Sequence, residues 1–282
     1  MTRWWSAGWG YNRWIPSDSD STVWALKLAE AMERRRSIRV FRAQRFLIQN
    51  MRRDGGLATF AVSKPIQRIT RMRSIRFTGW CSAHTCVTAA AAGLSRFPKR
   101  AQLLDYLQEK QLQDGGWLGY WWYDREYTTA LAAEALGTDN RPELSEEVRR
   151  AVIWACDRVS PNGSVTSEIE SSGSAFATAL NLRTLALSQD PQAVYEPLQL
   201  SLEWLLRHQQ RDGSWSPSAR LRVPPPDSTE PEHFQNWQIH NNARGADAIG
   251  AIVLDRRGVF TTATVLASLN KVRSVLDCHG NR

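Results

Sequence analysis

Asp18 and Asp20 stand one residue apart in Pro16-Ser17-Asp18-Ser19-Asp20-Ser21-Thr22-Val23-Trp24, where two carboxyl groups interact directly. Like charges at short range cannot both ionise cheaply, so one pKa rises and that group keeps a proton near neutrality. The chemistry this suits is general-acid catalysis. The bland reading of the same residues is a helix N-cap, since Ser and Asp before a helix accept from its free amides. The candidate partner is His84, in Gly79-Trp80-Cys81-Ser82-Ala83-His84-Thr85-Cys86. A hydrogen bond from it to the second oxygen would stabilise the carboxylate left after proton transfer. Its bland reading is a satisfied histidine at a helix start.

Aromatic residues are the second group with chemical meaning. The chain has 13 tryptophans, a surplus that points either to plugs between repeated units or to an aromatic cavity lining. Trp9, Tyr11, Trp14, Trp80, Trp121, Trp122, Tyr123 and Trp237, with Trp4 and Trp5, fall outside the expected helices near helix starts. An aromatic face stabilises a passing cation by about 0.5–2 kcal/mol. Lys64, Arg68, Arg71, Arg73 and Arg76 form a run without acids. It is either a solvated loop or a clamp for a diphosphate, with Arg73 and Arg76 as the contacts.

These residues need a scaffold, and an internal repeat supplies it. The frames Phe46 to Leu57, Tyr106 to Trp117, Trp154 to Val165 and Trp204 to Trp215 share one spacing, with a glycine at Gly55, Gly115, Gly163 and Gly213. The second and fourth are nearly identical: aromatic-Leu, then Gln111 or Gln209, then Asp-Gly-x-Trp. Glycine ends the outer helix by tolerating the left-handed conformation, and the tryptophan folds back as a plug. Small-residue stretches within 21–32, 82–94, 127–136, 174–187 and 261–276 predict inner helices. Charged stretches 37–50, 98–113, 142–158 and 191–209 predict outer helices, three of them opening on proline. The expected fold is all-α, one α/α toroid over residues 1–282. The long connections 61–80 and 216–259 are expected lids, since loops of this length are usually functional.

The frame resembles the QW repeat of squalene-hopene and oxidosqualene cyclases, over most of residues 37–215. The segment from Trp9 to Trp24 resembles the DxDD(T/S) acid motif of class II terpene cyclases. Asp18 matches its first aspartate and Asp20 the central one; Ser21 departs from the last, where oxidosqualene cyclases carry cysteine. The resemblance implies that Asp20 is the general acid for a terminal alkene or epoxide of an isoprenoid, with Asp18 coupled to it and His84 orienting it. It implies no metal and no cofactor for protonation, and magnesium with a diphosphate-bearing substrate. Class II cyclases usually pair this barrel with a second helical domain, so a lid, a homodimer or a partner chain is expected to close the cavity. Asp18-Ser19-Asp20 and His84-Thr85-Cys86 also resemble the zinc-ligand contexts of protein prenyltransferases, which keeps a metal-dependent transferase open. A non-catalytic lipid or peptide scaffold is the third reading.

Composition sets the outer bounds. Hydrophobic residues at 42% and charged residues at 23% allow a sizeable core. A net charge of +8 suits anionic small molecules or peripheral contact with an acidic membrane; nucleic acid is not the expected partner. Cys81, Cys86, Cys156 and Cys278 are too scattered to staple the chain, so reduced thiols and a cytoplasmic setting are expected.

Overall fold

The computed structural model describes residues 7–12, 14–34, 37–139, 141–166, 171–240 and 248–280, apart from the side chains of 143 and 274–280. Trp4 and Trp5 lie outside them. Inner helices are α1 (Ser19–Ala31), α4 (Thr85–Ala92), α6 (Arg125–Gly137), α8 (Ala175–Leu185) and α10 (Val259–Gly280). Outer helices are α2 (Ile38–Asn50), α5 (Arg100–Glu109), α7 (Ser145–Arg158) and α9 (Pro191–Arg207). Each inner helix packs on the next, α1 on α4, α4 on α6, α6 on α8 and α8 on α10. The alternation read from the repeat is therefore the architecture. Of the three prolines, Pro191 opens α9, Pro142 opens a 3-10 turn before α7, and Pro98 precedes α5.

Composition explains which helices are inside. Ala89, Ala90, Ala91 and Ala92 of α4 are fully buried, as are Ala130, Ala132 and Ala133 of α6. Only methyl-sized side chains let a helix be enclosed on every side. The repeat glycines take positive φ, Gly55 at 87°, Gly115 at 95°, Gly163 at 90° and Gly213 at 85°. At Gly115 a Cβ would also lie 2.3 Å from the Arg150 carbonyl oxygen, so no other residue fits there.

The plugs behave as expected. Trp117 and Trp215 are buried, and their indole N–H groups donate to Leu107 O at 2.7 Å and Leu205 O at 2.8 Å. Gln111 Nε2 donates to Gly115 O and to Glu147 O, both at 2.8 Å, tying the turn to the next outer helix. Truncating Trp117 to alanine is expected to cost about 3–5 kcal/mol, read as a lower urea midpoint with the fold class unchanged by circular dichroism.

Both long connections differ from simple loops. Residues 61–80 contain α3 (Ser63–Thr70), and 216–259 contains β1 (Arg220–Val223), β2 (Gln238–His240) and β3 (Ala251–Leu254). The all-α expectation holds for the toroid, to which this sheet is added. Its order is β1-β3-β2, with β1 antiparallel and β2 parallel to β3. The short strands were unreadable because their pairing is entirely non-local. β1 extends onto the loop before α6: Arg222 N–H donates to Trp121 O, Tyr123 N–H to Arg220 O, and Trp122 pairs with Leu221. The Arg222 guanidinium, itself buried, donates to the Tyr120 and Gly119 carbonyls. The two connections also meet, Trp80 N–H donating to Pro226 O and Thr78 Oγ1 to Asp227 O, while Tyr120 Oη of the loop before α6 donates to Ser228 O.

Candidate active site

One hydrogen bond sets the register of the whole ring. The terminal residue of each repeat donates its backbone N–H to a threonine hydroxyl on the following inner helix: Leu57 to Thr88, Trp117 to Thr129, Val165 to Thr178 and Trp215 to Thr262. Trp9 N–H donates in the same way to Thr22 on α1. Two residues before each threonine stand Asp20, Cys86, Tyr127, Phe176 and Phe260. These are one level of the ring. Tyr127 and Phe176 rings lie 6.2 Å apart and Phe176 and Phe260 5.7 Å, and Trp122 stacks on all three at 4.4, 5.3 and 5.0 Å. The acid therefore shares its level with a thiol and an aromatic wall.

Asp18 is the N-cap of α1, so for this residue the capping reading holds. Its carboxyl is almost fully buried and accepts from Ser21 N–H at 2.7 Å, Ser21 Oγ at 2.9 Å and Tyr11 N–H at 3.1 Å. Burial pushes it up to about 6, and the Ser21 and Tyr11 donors oppose that rise. Asp20 has no such cradle. Burial, then the Asp18 charge, lift its carboxyl to about 7, opposed only by the Trp24 indole N–H. Three donors favour the ionised form of Asp18, so the proton that the pair shares near neutrality sits on Asp20.

His84 is not the partner of Asp20. It is the N-cap residue of α4, four before Thr88, as Asp18 is four before Thr22. Register thus matches His84 to Asp18, and Cys86 to Asp20. Its ring is buried with both nitrogens engaged, Nδ1 with Thr59 Oγ1 at 2.7 Å and Nε2 with Gly79 O at 2.8 Å. Gly79 O can only accept, so Nε2 carries the hydrogen and Nδ1 accepts from Thr59. Tyr120 stacks on the ring at 3.7 Å, and burial lowers its pKa to about 3. The imidazole is a neutral brace between the first repeat and the α4 start. We expect His84→Gln to lower stability by about 1–3 kcal/mol through orphaned polar groups, leaving the basic limb of any pH–rate profile in place.

The expected aromatic lining divides. Trp122 is in the wall, and Trp121 adjoins it, its indole donating to Thr59 Oγ1 at 2.7 Å. Trp9 is partly buried against the core and holds the α1 start through its backbone. Tyr11 and Trp14 do not line the cavity: their side chains are 81% and 65% exposed, and Tyr11 contributes only its amide to Asp18. Trp80 is a core plug, its indole donating to Pro224 O at 3.0 Å. Tyr123 and Trp237 line a cleft of about 910 Å³ with Asp124, Trp154, Arg222 and Phe234. Successive side chains alternate faces, so this cleft lies across the strand from the Trp122 wall. Arg73 and Arg76 are exposed, Arg76 bordering a shallow depression with Lys64.

Sequence reasoning missed Cys86, Tyr127, Phe176, Phe260 and Trp24. The threonine register was available as a signal, because the residue two before each repeat threonine is readable from the sequence. Among the described residues no group of three or more His, Cys, Asp or Glu is arranged to hold a metal, and Asp18, Asp20 and His84 do not form the ligand set of a prenyltransferase.

The helical toroid thus carries a carboxyl pair at one inner-helix start, with Asp18 buried, and an aromatic wall on the level of Asp20. The family of the squalene-hopene cyclase C-terminal domain matches residues 4–220, and the chain belongs to it. It is 29% identical over 148 residues to the squalene–hopene cyclase of Zymomonas mobilis, covering 48% of this chain and 22% of that enzyme. The chain thus spans about a fifth of that curated relative. The type II terpene cyclase MstE from Scytonema superposes with a TM-score of 0.90 at 39% identity, over 95% of this chain and 78% of that one. Variants of MstE have been solved with geranylgeranyl dihydroxybenzoate as substrate and with merosterolic acid A as product. A protein from Actinoplanes superposes at 0.88 and 37% identity, over 95% and 79%.

Proposed function

We propose that the protein is a class II terpenoid cyclase in which Asp20 donates the proton that starts cyclisation. The observation that carries this reading is the asymmetric carboxyl pair: Asp18 is cradled by three donors while Asp20 stays protonated to about 7. The Asp20 proton passes to a terminal alkene carbon or an epoxide oxygen of the isoprenoid. Its carboxylate remains, and a tertiary carbocation forms and is quenched by internal double bonds. The wall of Trp122, Tyr127, Phe176 and Phe260 offers ring faces to that charge, each about 0.5–2 kcal/mol when desolvated. Proton loss to a base or capture of water ends the reaction.

The substrate we propose is a polyprenyl chain of about the length carried by the MstE substrate. A diphosphate-bearing form would meet Arg73 and Arg76 and bring magnesium with it. Trp24 and Phe260 are each 41% exposed, and carbocation chemistry needs water excluded, so we propose that a second copy or a partner chain covers that side. The setting we propose is the cytoplasm with peripheral membrane contact. Cys81, Cys86 and Cys156 are free thiols, and no helix among the described residues is long and apolar enough to cross a membrane.

The test is incubation with geranylgeranyl dihydroxybenzoate, with geranyl, farnesyl and geranylgeranyl diphosphates, and with free and epoxidised polyenes, followed by mass spectrometry and NMR of products. Cyclised product formed in the presence of EDTA supports the reading. A protein that binds these compounds and converts none is a scaffold.

A further inference from the structure

We infer that Trp24 is a positioning residue for the acid and that Lys27 holds it from below. The inference rests on the reading of Asp20 as proton donor. Asp20, Trp24 and Lys27 occupy positions i, i+4 and i+7 of α1 and so form one stripe along the helix. In the other inner helices the level of Trp24 is taken by Ala90, Leu131, Leu180 and Thr264, so this indole is the one large ring at its height. It is 41% exposed, and burial alone does not fix its orientation.

Lys27 does. Its ammonium lies over the indole at 5.1 Å from the ring centroid. The lysine is itself confined by the neighbouring inner helices. Gly93, two turns below the Cys86 level, leaves the space it occupies: a Cβ there would sit 2.9 Å from Nζ. Glu134 is its counter-charge, already bound by Arg183 at 2.5 and 2.7 Å and by Lys271 at 2.7 Å. Arg183 and Lys271 repel the Lys27 ammonium, and the indole face above receives it. With its ring pinned from below, Trp24 stands one helical turn from Asp20 on the same stripe of α1, where its indole favours the ionised form of the Asp20 carboxyl. A donor aimed at the oxygen that becomes anionic stabilises the carboxylate as it forms. This is the role that His84, one register position away, cannot fill.

Two readouts test the idea. In the first, turnover is measured for Trp24→Phe, Lys27→Met and the double variant. In the second, Asp carboxyl carbons are labelled with ¹³C and the Asp20 titration is followed by NMR, with Asp20→Asn assigning the resonance. Trp24→Phe should raise the Asp20 midpoint, because a donor to the anion is lost, while lowering kcat by about 10- to 100-fold. Lys27→Met should move both in the same direction by less, and the double variant should match Trp24→Phe within about twofold. An unmoved Asp20 midpoint in Trp24→Phe overturns the inference, as does a Lys27→Met effect of equal size in both backgrounds. Gly93→Ala, which displaces Nζ without removing its charge, should reproduce Lys27→Met. If the wild type converts no isoprenoid, the reading of Asp20 as donor fails, and the NMR titration still decides whether Trp24 acts on that carboxyl.

Discussion

Asp20→Asn is expected to lower turnover by at least about a thousandfold while leaving the protein folded and no less stable. Proton donation by a positioned side chain is worth about 10²- to 10⁴-fold, and here it creates the reactive cation, so no slower route bypasses it. The stability half of the prediction follows from burial. Asp20 is raised from 3.8 to about 7, so above neutrality the folded state carries a carboxylate that burial disfavours. About three pKa units set a ceiling of about 4 kcal/mol on that cost; asparagine recovers only part, because its amide also needs partners. Product yield from the best wild-type substrate and thermal unfolding at pH 7.5 are the two measurements. Retention of a tenth of the wild-type rate would move the proton donor elsewhere, and a fall of many degrees in Tm would make Asp20 a structural residue. Asp18→Asn should behave differently. It keeps a capping side chain, since asparagine caps a helix as well as aspartate does, but removes the charge that keeps the Asp20 proton in place, so the Asp20 midpoint should fall.

The pH dependence carries the second large effect. Turnover is expected to peak between about 6 and 7, falling tenfold per unit above about 7 as Asp20 ionises and more gently below about 6 as Asp18 becomes protonated. His84, lowered to about 3, supplies neither limb. Stability has its own signature. The folded-state values of Asp18, Asp20 and Asp124 are raised, to about 6, 7 and 7 from a reference of 3.8, chiefly by burial. Their contribution is fully present below about 4 and is lost as pH rises through 6 to 7. His84 works the other way, its contribution being lost as pH falls from 6.5 toward 3. Between pH 8 and pH 5 the three carboxyls outweigh the single imidazole, so Tm should be higher at pH 5.5 than at pH 8. A flat or inverted Tm profile would show that these carboxyls are better solvated than their burial implies. A rate profile still rising above pH 8 would exclude a protonated carboxyl as the donor.

Much of the fold was legible because it repeats. Gly115 and Gly213 with their tryptophans mark helix end, turn and plug within eleven residues, and the alanine runs can only be enclosed helices. Such signals are local: a left-handed glycine, a small-residue face and a capping aspartate act on neighbours a few positions away, and sequence order preserves them. The carboxyl pair was legible for the same reason, since Asp18 and Asp20 interact within one turn.

The residues facing that pair were not. Whether His84 or Cys86 stands beside Asp20 depends on a shift of two residues between adjacent helices, set by the hydrogen bonds of Leu57 to Thr88 and Trp9 to Thr22. Type and proximity in sequence favoured the histidine; register placed it a level higher, between Thr59 and Gly79. Likewise Tyr11 and Trp14 read as lining by composition, yet both are exposed, whereas Phe176 and Phe260, inconspicuous in their own helices, stack on Trp122. The sheet of 216–259 is joined through β1 to the loop before α6, about a hundred residues away in sequence, a pairing that no local signal announces. Sequence by itself determined the helical toroid, its inner and outer helices and the acid pair, because each is written in short-range periodicity. Tertiary structure alone decided what the acid faces and what holds it, because helix register and non-local strand pairing are fixed only when the ring assembles.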